Sequence, residues 1–220
     1  MTHPSIFVKQ AILFDLDGVL VDSTESVART WRNWASQHGI DAEKLIPAAH
    51  GRRTIETVRE FAPHLDAEAE AVKLEHTEAH DHEGLQVVAG ARELIAQIRG
   101  ERWAICTSGT SLLATARLRA VGLPIPRVLV SAEAVANGKP HPEPYLRSAE
   151  RLGYRAADCL VFEDSPAGIL SGKHAGASVI GVATTYPISE LKDADAIVAD
   201  LRPITVTGDG AGLRIEIAKS

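Results

Sequence analysis

The chain has 220 residues, enough for one large domain or a domain carrying a smaller insert. Its 45% hydrophobic and 24% charged residues are ordinary for a globular protein, and a net charge of -6 offers no basic footprint for nucleic acid. No apolar run approaches the roughly 18 residues of a membrane span and no signal-peptide pattern is present. Cys106 and Cys159 sit singly in apolar runs, as free thiols in a reducing cytoplasm would.

Residues 1–10 read as a polar lead-in. Ala11 to Phe14 (AILF) reads as a buried strand that ends in Asp15, Asp17 and Gly18. Strand side chains alternate faces, so residues two apart point the same way and the two carboxylates converge at the strand end. Acids buried there are costly unless a cation or a reaction needs them, and open α/β sheets place their ligands at such ends. Taken alone, an edge strand entering an Asp-Gly turn explains the same residues.

Three helices are expected next: Thr24 to His38, stopping at Gly39; Thr54 to Phe61, ended by Pro63; and about Ala67 to His80, before Gly84. No strand interrupts them. From Gly90 the rhythm changes to helices alternating with short apolar strands: WAICT, RVLVS, CLVFED, SVIGVA and ADAIVA. That alternation means βαβ units and a parallel sheet. The expected fold is α/β, a Rossmann-like parallel sheet with helices on both faces and an inserted α-helical cap. Residues 1–22 and 85–220 would form the core, and 23–84 the cap over the carboxyl ends of the strands. The tail, ITVTGDGAGLRIEIA, reads as a hairpin turning around Gly208 to Gly212.

Four signals fall at strand ends. Asp15 and Asp17 are the first. Thr107-Ser108-Gly109-Thr110 follows WAIC and opens a helix, a ready anion site whose bland reading is an ordinary cap. In Gly138-Lys139-Pro140-His141-Pro142-Glu143-Pro144-Tyr145, prolines hold Lys139 in a stiff extended segment, and an aimed ammonium suits phosphate. A solvated lysine in a Pro-rich turn is the alternative. Glu163-Asp164-Ser165-Pro166 ends another buried strand. Capping accounts for Ser165 and Pro166 but not for the two acids.

Together these stretches resemble the haloacid dehalogenase-like (HAD) phosphohydrolase superfamily over about residues 10–200. FDLDGV matches its first motif, TSGT the second, GKPHPEPY the third and VFEDSPAGI the fourth. With HGRRT at 50–54, the chain looks closest to the glycerol-phosphate and 2-deoxyglucose-6-phosphate phosphatases. The resemblance implies a Mg2+-dependent phosphatase of a small phosphorylated polyol or sugar, acting through an aspartyl-phosphate. Asp15 would be the nucleophile and Asp17 the acid and base; Superfamily dehalogenases lack an acid at the position of Asp17. Lys139 would complete the catalytic set. Leu16, Thr107, Ser108, Gly109 and Lys139 would hold the phosphoryl group. The metal set that the resemblance implies would be Asp15, Asp17 (through its carbonyl), Asp164 and, through water, Glu163.

His50 and Arg52 are the cap candidates for substrate contact, with Glu75 a weaker one. Mutases of the β-phosphoglucomutase type share all four motifs but carry a histidine twelve residues after the nucleophile, where this chain has Val27. A non-catalytic regulator on the same fold is the alternative of a different class, and the complete motif set argues against it. His76 and His80 have a metal-pair spacing without a third ligand and read as an exposed face. Gly208 to Gly212 lacks the helix and lysine of a phosphate loop. The pair Trp31 and Trp34 reads as cap core. No nucleic-acid or membrane partner is expected, a monomer is compatible with the sequence, and the role of the tail is not readable.

Overall fold

The computed structural model describes residues 5–209 and 212–218. Its strands, in chain order, are β1 (Ser5–Lys9), β2 (Ala11–Phe14), β3 (Val21–Asp22), β4 (Gln86–Val87), β5 (Trp103–Cys106), β6 (Val128–Val130), β7 (Cys159–Glu163), β8 (Ser178–Val182), β9 (Ala196–Val198), β10 (Ile204–Asp209) and β11 (Gly212–Ile217). The helices are α1 (Thr24–His38), α2 (Ala42–Ala49), α3 (Thr54–Phe61), α4 (Ala67–His80), α5 (Ala91–Gln97), α6 (Ser111–Ala120), α7 (Glu143–Leu152) and α8 (Pro166–His174).

Six parallel strands form the central sheet in the order β6-β5-β2-β7-β8-β9. Strand alternation sorts its side chains into two cores. Ile12, Phe14, Ile105, Leu160, Phe162 and Ile180 face α5 and α6, whereas Leu13, Ala104, Cys106, Val161 and Val179 face α7 and α8. Helices thus cover both faces of a Rossmann-like α/β sheet.

Helices α1 to α4 are inserted between β3 and β4, which pair antiparallel as a two-residue ribbon. They carry an apolar cluster of their own, built on Trp31, Trp34, Leu45, Val58 and Leu74. Three of these helices match the sequence expectation. The fourth, α2, is only eight residues long with Pro47 inside it, so a proline that normally ends a helix hides it from a periodicity reading. Asp41 caps it by accepting from the Glu43 N–H.

The ends of the chain correct the expectation. Residues 5–9 are strand rather than polar lead-in: β1 pairs antiparallel with β11, with Ser5 opposite Ile217, and β11 pairs with β10. The tail is the expected hairpin, and its strands meet at Asp209 and Gly212; Gly210 and Ala211, in the expected turn, lie outside the described residues. Ile204, Val206, Leu213 and Ile215 join the core on the α5 side. No described helix is long and apolar enough to cross a membrane.

Candidate active site

The ends of β2, β5 and β7 open beneath the inserted helices, and a cavity of about 70 Å3 lies between. From the core it is lined by Asp15, Asp17, Thr107, Ser108, Gly109 and Asp164, and from the insert by His50, Gly51 and Arg52. Residues from three strand ends and from the insert therefore converge on one cavity.

At its base, the ammonium of Lys139 is buried between two carboxylates, 2.5 Å from Asp15 Oδ1 and 2.6 Å from Glu163 Oε1, and donates to the Cys106 carbonyl at 3.2 Å. The Lys139–Pro140 peptide is cis. Neither Lys139 nor Glu163 lines the cavity; both stand behind Asp15. The Glu163 carboxylate also accepts from the Tyr145 hydroxyl at 2.9 Å and from the Ser165 N–H and hydroxyl. Four donors hold it, which fits an anchor for Lys139, whereas its neighbours Asp15 and Asp164 line the cavity.

Ligand oxygens of Asp15, Glu163 and Asp164 lie within 4.8 Å of one another, all buried. Three carboxylates share one ammonium there. Burial first, then Glu163 and Asp17, push Asp15 up to about 7 against the pull of Lys139. Burial, with Glu163 and Asp15, likewise drives Asp164 well above the carboxylate range. Burial works against the charge on Lys139, but Asp15 and Glu163 outweigh it and hold the ammonium protonated. This excess of negative charge around oxygen donors fits a hard divalent cation such as Mg2+.

Backbone turns aim these groups. Gly18 has φ of 77°, and a side chain there would overlap the Asp164 carboxylate. The Leu16 carbonyl accepts from the N–H groups of Leu20 and Val21, while the Leu16 side chain is buried in the core rather than in the cavity. Opposite Asp15, Thr107 Oγ1 accepts from the Gly109 N–H at 3.0 Å, and Thr110 caps α6. The loop at 107–109 thereby forms a hydroxyl- and N–H-rich lip at a helix start, suited to an anion.

The insert reaches the same lip. Ser108 donates to the Gly51 carbonyl at 2.9 Å, and Arg53 donates to the Ala136 carbonyl. Tyr186 donates to the Pro47 carbonyl at 3.0 Å. Arg52 lines the cavity with its guanidinium 2.7 Å from Glu60. His50 Nε2 is buried without a hydrogen-bond partner, and burial holds this imidazole below its ordinary pKa. Glu75 is buried toward the hydroxyls of Thr54 and Thr110 and does not line the cavity.

Arg117 and Glu78 escape the sequence reading. Arg117 of α6 is 3% exposed and bridges Asp17 to Glu78 of α4, and all three line the cavity. Its signal was present, because Leu113, Ala114, Arg117 and Leu118 form one helix face and an arginine on an apolar face needs a reason. Trp31 belongs to the insert core as expected, yet its ring also lines the cavity.

Comparison with known proteins shows the family. The family model for haloacid dehalogenase-like hydrolases matches residues 9–176. The chain belongs to that family. It is 43% identical to hexitol phosphatase A of Escherichia coli, over 90% of this chain and 94% of the relative. It is 36% identical to glycerol-1-phosphate phosphohydrolase 2 of Saccharomyces cerevisiae, over 96% of this chain and 90% of the relative. Among solved structures, a hydrolase from Pseudomonas syringae superposes with a TM-score of 0.79 at 26% identity, covering 88% of this chain and 94% of that one. In this haloacid dehalogenase-like hydrolase, three of the four stretches line the cavity and the fourth sets Lys139 against Asp15.

Proposed function

We propose that this hydrolase is a Mg2+-dependent phosphatase of a small phosphorylated polyol or sugar, working through an aspartyl-phosphate on Asp15. The observation that carries the reading is the buried Asp15 carboxylate at the cavity floor, fixed by Lys139 and facing the lip of Thr107, Ser108 and Gly109. The named activities of the relatives, hexitol phosphatase and glycerol-1-phosphate phosphohydrolase, support the substrate class.

In this reading an Asp15 oxygen attacks phosphorus as the bond to the leaving oxygen breaks. Asp17 gives its proton to the departing alkoxide, then takes one from the water that hydrolyses the acyl-phosphate. Thr107, the Ser108 and Gly109 backbone and the nearby Lys139 charge stabilise the phosphoryl oxygens. Asp15, Asp164 and the Asp17 carbonyl would hold Mg2+, with Glu163 behind them; when bound, the ion offsets the repulsion between carboxylate and phosphate. His50 and Arg52 would read the alcohol part of the substrate. Residues 23–84 serve as the cap domain over a core of 1–22 and 85–220, and the buried unpaired thiols of Cys106 and Cys159 suit a cytoplasmic setting.

The test is phosphate release from glycerol, hexose, 2-deoxyhexose and hexitol phosphates, phosphoglycolate and nucleotides, with Mg2+ and with chelator. Chelator-sensitive turnover concentrated on polyol or sugar phosphates is expected. Turnover of none of them by folded protein would remove the phosphatase reading.

A further inference from the structure

Among the proposed reacting groups, Asp17 lies beyond the end of β2 and takes its support from outside the sheet. Arg117 Nη1 stands 2.7 Å from Asp17 Oδ1, and Ser23 Oγ donates to the same oxygen at 2.7 Å. Among the described residues no hydrogen bond or ion pair falls on Oδ2, which leaves that oxygen for a substrate. The other arm of the guanidinium, Nη2, donates to Glu78 Oε2 at 2.5 Å. We infer that Arg117 is a positioning residue for Asp17 and that Glu78 holds Arg117, so that helix α4 of the insert sets where the leaving-group acid stands. This rests on the reading of Asp17 as the group that protonates the leaving oxygen, and it adds the device that aims it.

The guanidinium is a rigid planar fork, so two carboxylates on two of its arms are fixed relative to each other. Arg117 and Glu78 are 3% and 6% exposed, where water screens the pairs little. Packing α6 against α4 would be served more cheaply by an apolar side chain, because burying an arginine carries a desolvation penalty. Packing also does not explain why Arg117 Nε is buried without a partner, nor why Asp17, Arg117 and Glu78 all border the one cavity. The insert joins the core through the short β3–β4 ribbon, with Ser23 at the junction. Withdrawal of α4 would take Glu78 away and free Arg117 to close on Asp17 alone.

The chemical consequence depends on the leaving group. As the P–O bond to an alkyl alcohol breaks and the P–O bond to Asp15 forms, the proton of Asp17 passes to the departing oxygen, giving neutral alcohol and the Asp17 carboxylate. A nitrophenolate leaves without that proton. In the step that forms the acyl-phosphate, which kcat/KM reports, misplacing Asp17 therefore slows alkyl phosphates and spares aryl ones, a split that general loss of structure does not produce; its later role toward water is common to both substrates.

The experiment measures kcat/KM in Mg2+ for glycerol phosphate and p-nitrophenyl phosphate with wild type, Glu78→Gln, Arg117→Lys, the double variant and Asp17→Asn. Glu78→Gln and Arg117→Lys are each expected to lower the glycerol phosphate value about tenfold or more and to leave the aryl value within about threefold. The double variant should lose no more than its worse single parent, as residues acting in series do. Equal losses on both substrates, or full retention on both, would overturn the inference. If Asp17→Asn shows the split and Glu78→Gln does not, the positioning role alone falls. If Asp17→Asn shows none, the reading of Asp17 falls with it. Should Arg117→Lys not fold, the isosteric Glu78→Gln and the shorter Glu78→Asp, checked by thermal melting, decide the matter by the same split.

Discussion

Asp15 is buried and shares its surroundings with the charges of Lys139, Glu163 and Asp17. Asp15→Asn keeps the shape and removes the proposed nucleophile, so turnover should fall by about three orders of magnitude or more while the melting temperature holds. Retained turnover in a steady-state assay would end the covalent assignment. Its titration gives a second expectation. The folded value of about 7 exceeds the ordinary 3.8, so the native protein prefers the proton. Without metal, this contribution to stability is present below about pH 4 and is lost as pH rises through about 7. A cation competes with that proton for the same carboxylates. Thermal melting with Mg2+ against chelator should therefore show a larger metal-induced rise near about pH 8 than near about pH 5. An equal rise at both would mean that the ion binds elsewhere. At this scale the motif residues were legible because acids, a lysine and small hydroxyls stood at the ends of apolar strands. Arg117 and Glu78 went unassigned: Arg117 offered only an arginine on an apolar helix face and Glu78 an acid mid-helix in the insert, and their packing alone brings them to Asp17.

At the level of elements, strand and helix alternation after Gly90 was readable because each buried strand is short, apolar and bounded. The helices of the insert were readable where an apolar face repeats, and α2 was missed because Pro47 breaks the pattern that α2 itself tolerates. β1 was missed for a different reason. Its burial pattern is mostly exposed, so its existence depends on a partner strand at the other end of the chain rather than on its own composition. Helix α8 offers a test of how tightly elements are fitted. Alanine for glycine usually favours a helix by up to about 1 kcal/mol. At Gly168, however, a methyl would overlap the Glu163 carboxylate that holds Lys139. Gly168→Ala should therefore destabilise by about 1–3 kcal/mol in chemical unfolding and depress turnover. A neutral or stabilising result would show that Glu163 has room to move without consequence.

Across the molecule, the insert touches the core at separated points: Ser108 to Gly51, Arg53 to Ala136, Tyr186 to Pro47 and Arg117 to Glu78. In the proposed reading, substrate discrimination belongs to this roof. Arg52→Ala should raise KM for polyol or sugar phosphates more than for p-nitrophenyl phosphate, and an equal effect on both would take Arg52 off the list of discriminating residues. The global arrangement also has a temporal side. The sheet of β1, β11 and β10 joins the first strand to the last, with Ser5 facing Ile217 across it. During synthesis, β1 precedes by nearly the whole described length the strand β11 with which, among the described residues, it pairs in that sheet. The parallel sheet and the helical roof can assemble meanwhile, so pairing of the two ends would be among the last events of folding.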